Sequence, residues 1–171
     1  MKTLFVMRHA KAERDSETGR DFDRPLTKRG WRDAEAVGRA MRSRGLELDS
    51  VLASPARRAA ETATAFASSY GRLEQQFEPG IYNAPADRLI EIVRTAGEGV
   101  ERLLIVGHNP GFQDLVLRLA SDDPGDHSDH IVDGFPTAAV AAVELPVERW
   151  RDVAERSGRI TELIQPRDLR D

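Results

Sequence analysis

Leu4-Phe5-Val6-Met7-Arg8-His9-Ala10-Lys11 is the stretch on which the reading of this chain turns. Four apolar residues run without interruption into an arginine, a histidine and a small residue. So short a continuous apolar run predicts a strand buried on both faces, as in the middle of a parallel sheet. Its carboxyl end presents a fixed cation beside an imidazole. In open α/β sheets, ligands bind outside the carboxyl ends of the strands. The stretch therefore proposes an anion site. Taken alone, Arg8-His9 reads equally well as a polar strand end, and the decision rests on whether other segments bring matching groups to the same rim.

The 171 residues favour one domain, residues 1–171, with a real core. Hydrophobic residues make up 40% and charged ones 32%, the balance of an ordinary folded chain. A net charge of -4 argues against a nucleic-acid partner, which needs a basic footprint, but allows a local basic pocket. The absence of cysteine excludes disulfides, thiolate catalysis and Cys-ligated zinc. Met1-Lys2-Thr3 leads straight into the first strand without the series of a signal peptide. No apolar run approaches the ~18 residues of a membrane span. The expected address is the cytoplasm, with no membrane partner.

Working outward, residues 12–24 are polar and charged with no apolar period, which predicts a loop. It leaves directly from the proposed site and is placed to wall it. Thr27 is a helix N-cap, and Trp31, Ala34, Gly38 and Met41 share one helical face up to Gly45. Asp49 to Ala53 is a second strand. Ser54-Pro55 then reads as N-cap and first helical residue of a helix reaching about Tyr70. This puts Arg57 and Arg58 near its positive end, where cations need a counter-anion or solvent. Spacing does not choose between the two. Leu73 to Phe77 is a weaker third strand, and a helix follows from about Pro85. Arg102 to Gly107 is a second continuous apolar strand, ending in His108-Asn109-Pro110-Gly111 before a helix to about Ala120.

Ser121 to Asp133 is acidic and reads as a solvated loop. Asp126-His127-x-x-His130 has a metal-like spacing, but no helix is predicted to put both imidazoles on one face. Phe135-Pro136-Thr137 opens a strand to Leu145, suited to an antiparallel edge, and Arg159 to Ile164 is the final strand. The order predicts one three-layer α/β/α domain with a mostly parallel sheet and an antiparallel edge strand.

Arg8, His9, one of Arg57 or Arg58, and His108 thus converge on one rim. Arginines fork donors onto phosphate oxygens. A neutral imidazole is a competent nucleophile toward phosphorus, and a second histidine, if protonated, adds a donor. Phosphoryl transfer needs mainly positioning and electrostatic stabilisation, which these groups supply without a metal or cofactor.

At this point the sequence resembles the histidine phosphatase superfamily. The resemblance lies in Met7-Arg8-His9-Ala10, Pro25-Leu26-Thr27-x-x-Gly30, Ser54-Pro55-x-x-Arg58-Ala59-x-x-Thr62 and Gly107-His108-Asn109-Pro110-Gly111. Within it, the small size and Phe135-Pro136-Thr137 are similar to the SixA-type phosphohistidine phosphatases. The resemblance implies a phosphoglycerate-mutase-like fold. It implies that His9 attacks phosphorus and is itself phosphorylated, that water then releases phosphate, and that Arg8, Arg58 and His108 hold the phosphoryl oxygens. It selects Arg58 and leaves Arg57 a surface cation.

Two positions depart from the family pattern. Ala10 stands where the Arg-His-Gly motif of the family has glycine. Asn83, in Ile81-Tyr82-Asn83, stands where ester-cleaving relatives have the glutamate that acts as general acid. An amide cannot donate that proton. Glu78 or a carboxylate of the 13–23 loop is the alternative acid. An alkoxide leaving group needs the proton more than an imidazole does, so the pattern favours phosphohistidine on a protein as substrate. A small phosphate ester is the enzymatic alternative, and a phosphate or phosphoprotein binding module the non-catalytic one.

Overall fold

In the computed structural model, which describes residues 1–170, six strands form one sheet in the order β3-β2-β4-β1-β5-β6. In chain order the elements are β1 (Lys2–Arg8), α1 (Lys28–Ser43), β2 (Ser50–Ala53), α2 (Arg57–Tyr70), β3 (Gln75–Phe77), α3 (Ala86–Val93), β4 (Arg102–Gly107), α4 (Gly111–Leu119), α5 (Asp126–Asp133), β5 (Val140–Leu145) and β6 (Arg159–Ile164). Strands β1 and β4 pair in parallel, with Arg8 opposite Gly107, and β2 pairs in parallel with both β4 and β3. The antiparallel strand is β5, which pairs with β1. It is not itself the edge, because β6 pairs antiparallel on its outer side.

The continuous apolar runs are explained by helices on both faces. Leu4, Val6, Leu103 and Ile105 pack against α3 and α4. Phe5, Met7, Leu104 and Val106 point the other way, onto α1 and α2. Alternate residues of one strand thus enter two cores, so every position is apolar. Helix α1 starts as expected: Thr27 Oγ1 accepts from the Gly30 N–H at 3.0 Å. A Cβ at Gly30 would lie 2.2 Å from the Lys11 carbonyl oxygen, so glycine lets α1 close against the chain leaving β1.

Two expectations are corrected. Helix α2 begins at Arg57, with no side-chain cap, because Ser54 turns its hydroxyl to other partners. The acidic segment is not all loop: Asp126–Asp133 is helical. Asp126 and Asp129 favour the positive end of α5 and His130 the negative end. Only Ile131 of α5 is fully buried, which is why no apolar period announced it. Among the described residues, no three His, Asp or Glu side chains gather as a metal site. Nor is any helix there long and apolar enough to cross a membrane.

Candidate active site

Parallel pairing of β1 and β4 sets His9 and His108 side by side at the carboxyl edge of the sheet. The His9 N–H donates to the Gly107 carbonyl at 2.8 Å, and the two imidazole centres lie 5.4 Å apart. Gly107 permits this arrangement, because a Cβ there would lie 2.4 Å from the Phe112 ring. Both rings are buried, His9 at 8% and His108 at 3% exposure.

His9 is held by its own backbone neighbourhood. Its Nδ1 donates to the Ala10 carbonyl at 2.7 Å. A carbonyl only accepts, so the proton sits on Nδ1 and the Nε2 lone pair is free. The same Ala10 peptide gives its N–H to Thr62 Oγ1 at 2.9 Å, and Thr62 Oγ1 donates to the Arg58 carbonyl at 2.6 Å. The Ala10 methyl is fully buried and does not disturb these bonds. Burial first, then the nearby guanidinium charges of Arg58, Arg8 and Arg24, lowers the His9 pKa to about 4. At neutral pH the ring is uncharged.

The choice between Arg57 and Arg58 is visible directly. Arg57 is exposed and pairs with Glu61 along the helix. Arg58 is 4% exposed, and its charge acts on both histidines. The counter-anion its helix position requires is Asp21, on a short 3-10 turn in the 12–24 loop. Arg58 Nη1 donates to the Asp21 carbonyl at 2.8 Å, and Nη2 donates to Asp21 Oδ2 at 3.0 Å. Tyr82 donates to the same oxygen at 2.6 Å, and Arg24 donates to Oδ1 at 2.9 Å. The Tyr82 hydrogen bond, with those from Arg24 and Arg58, holds the Asp21 carboxyl well below the usual carboxylate range. The loop does wall the site, and this one residue anchors it.

Arg8 donates through Nη1 to the Phe135 carbonyl at 3.2 Å, and Asn109 donates to the same oxygen at 2.8 Å. Phe135 thereby ties the segment before β5 to the ends of β1 and β4. Burial and the charge of Arg58 lower the Arg8 pKa. His108 has Nε2 2.8 Å from Ser54 Oγ. Burial, followed by Arg58 and His9, lowers its pKa to about 3. Before an anion arrives His108 is thus neutral, so the condition on its acting as a protonated donor is not met.

Three buried nitrogens in this cluster have no partner among the described residues: Arg8 Nε, Arg58 Nε and His108 Nδ1. A sealed polar atom without a partner costs about 1–3 kcal/mol. Two of these three neighbouring side chains are cationic, which suits the cluster to an oxyanion. An anion there would also relieve the repulsion between Arg8 and Arg58.

The proposed general acids fare differently. Asn83 is exposed, and its neighbour Tyr82 enters the site instead, its ring edge-on to His108 at 5.4 Å. Glu78 accepts from the Gly80 N–H and lines a separate cavity with Leu52, Phe77 and Ile92. Asp21 is the carboxylate bonded to the cluster, and it holds no proton to give. Sequence reasoning missed Tyr82, Asp21 as an individual residue and the hydroxyl contacts of Ser54. For Ser54 the signal was present, since a serine directly after a buried strand shares the rim with its ligands.

Comparison with known proteins follows the same lines. The model of the histidine phosphatase superfamily (branch 1) matches residues 4–87. An uncharacterized protein of Mycobacterium tuberculosis is 34% identical over 149 residues, 86% of this chain and 91% of its own. A candidate phosphohistidine phosphatase SixA from Nakamurella multipartitia superposes with a TM-score of 0.85 at 25% identity, covering 96% of each chain. The protein histidine phosphatase SixA complexed with tungstate superposes at 0.78 and 24% identity, covering 98% of this chain and 99% of its own.

Proposed function

Since the chain belongs to the histidine phosphatase superfamily, we propose that it is a metal-independent phosphohydrolase acting on phosphohistidine carried by a protein. His9 Nε2 attacks phosphorus in line, and the bond between phosphorus and the substrate imidazole breaks. When the ring nitrogen not bonded to phosphorus has taken up a proton from solvent, the ring leaves as neutral imidazole and needs no acid from the protein. Arg8, Arg58 and His108 hold the phosphoryl oxygens and stabilise the charge spread over them. Water then attacks the phosphorylated His9. The P–N bond breaks, the electron pair returns to Nε2, and the proton of water passes to phosphate or solvent.

The observation that carries this reading is the state of Asp21. The carboxylate bonded to the cluster accepts from Tyr82, Arg24 and Arg58 and is kept anionic. A site whose carboxylate holds no proton suits a leaving group that departs neutral, and disfavours an alkoxide. A cavity of about 580 Å3 beside Arg8, bordered by Gln113, Phe135 and Arg167, gives room for polypeptide flanking the phosphorylated residue.

The test compares hydrolysis of a phosphohistidine-bearing protein with that of phosphoserine, with and without a chelator. Turnover of the first, unaffected by chelation, is expected. Rapid turnover of phosphoserine alone would make the chain a phosphoester phosphatase. Tight phosphate binding with neither turnover would make it a binding module. Activity lost to the chelator and restored by a divalent cation would overturn metal independence.

A further inference from the structure

We propose that Ser54 is a positioning residue that holds His108 in the tautomer protonated on Nδ1, so that a neutral ring donates to a phosphoryl oxygen. The role at phosphate rests on the phosphatase reading above, whereas the tautomer follows from hydrogen-bond accounting. Ser54 is 0% exposed, so its hydroxyl cannot turn to solvent. Its Oγ accepts from the Ala56 N–H at 3.2 Å and lies 2.8 Å from His108 Nε2. The hydroxyl proton needs an acceptor, and among the described residues His108 Nε2 is the one in reach. Were Nε2 protonated, Ser54 Oγ would accept twice and bury its own proton without a partner. That arrangement leaves two buried groups unpaired, the Ser54 proton and Nδ1, whereas a proton on Nδ1 leaves only that N–H without a partner. Nε2 is therefore the acceptor, and the ring proton lies on Nδ1.

Nδ1 is also the His108 nitrogen that is sealed and unpartnered, like the Nε atoms of Arg8 and Arg58. The device answers a specific difficulty. Burial first, then the charges of Arg58, His9 and Arg8, disfavours an imidazolium at His108, with Asp21 opposing them only in part. A cationic donor is thus not at hand, and tautomer control supplies a neutral one. A misassigned imidazole tautomer disables a catalytic site even when its geometry is intact. The backbone fixes Ser54 in turn: its N–H donates to the Val106 carbonyl of β4 at 2.9 Å, two residues before His108.

The experiment is nitrogen NMR of the full chain labelled with 15N-histidine, whose four histidines make assignment tractable. His108 is expected neutral at pH 7, with the proton on Nδ1, and inorganic phosphate should shift that resonance. Ser54→Ala should move the proton to Nε2 or mix the tautomers, and lower kcat/KM on a phosphohistidine protein about 10- to 100-fold. Ser54→Thr should restore both. A proton on Nε2 in the wild type, one that stays on Nδ1 in Ser54→Ala, or an Nδ1 resonance indifferent to saturating phosphate would each overturn the proposal. The wild-type spectra stand even if a variant fails to fold. Failure of the phosphatase reading is seen separately, as absence of hydrolysis by the wild type.

Discussion

Strands β1 and β4 run side by side and each ends in a buried histidine, yet the two imidazoles are held by opposite nitrogens. His9 gives its Nδ1 proton to a backbone carbonyl next to it in sequence. His108 meets a hydroxyl from the end of β2 through Nε2. The first arrangement frees the Nε2 lone pair, and in the second the proposed tautomer puts the N–H on Nδ1. In the proposed mechanism two residues of one type, at equivalent positions of one sheet, thus serve as nucleophile and as hydrogen-bond donor. The difference lies in who binds the other nitrogen, not in the ring or its exposure.

The sharpest way to break this division is to remove each ring in turn. His9→Ala should reduce turnover of a phosphohistidine protein by about 10⁴-fold or more while phosphate binding persists, since it deletes the nucleophile and leaves the clamp. His108→Ala should cost about 10²–10³-fold in kcat/KM, the worth of one oxyanion donor. Equal losses from the two variants, read from steady-state kinetics, would erase the distinction.

Acid titration addresses what the rings share. Folding holds His9 at about 4 and His108 at about 3, both below the usual histidine value of 6.5. The unfolded chain therefore binds more protons between these values, and stability rises with pH there. Lowering the pH from 7 to 5 should reduce the unfolding free energy by about 2 kcal/mol for each imidazole, seen in urea titrations. A flat profile over that interval would mean that the rings are not held neutral. Smallest in its effect on turnover is Thr62→Val, which strips the Ala10 N–H of its partner behind His9. It should cost about 1–3 kcal/mol in stability and only a few-fold in turnover, and leave the His108 tautomer unchanged. A changed His108 spectrum in this variant would show that the two supports are not independent.

Much of this was legible in the sequence. The runs ending at Arg8-His9 and Gly107-His108 had to be buried strands, and buried parallel strands had to put both histidines on one rim. The late start of α2 was not legible, because Ser54-Pro55 carries the local signature of a helix cap. A tertiary partner, His108, takes the Ser54 hydroxyl, and the helix begins only at Arg57. Nor did spacing identify Asp21 among the carboxylates of its loop. That choice depends on Arg58 and Tyr82, 37 and 61 residues away in sequence. At Ile81-Tyr82-Asn83, aligning to a motif drew attention to Asn83, whereas the fold turns Asn83 outward and brings Tyr82 to the histidines. Helix α5 escaped because almost none of it is buried.

The claim that no carboxylic acid of the site protonates the leaving group is tested most directly by the dependence of rate on the leaving group. Wild-type kcat/KM would be measured for phosphate monoesters graded in leaving-group pKa, alongside a phosphohistidine protein. The account predicts that rates fall steeply as the leaving group becomes more basic, with alkyl esters slowest and phosphohistidine well above them. A shallow dependence, with alkyl esters cleaved about as fast as aryl ones, would reveal a general acid in the site and contradict it.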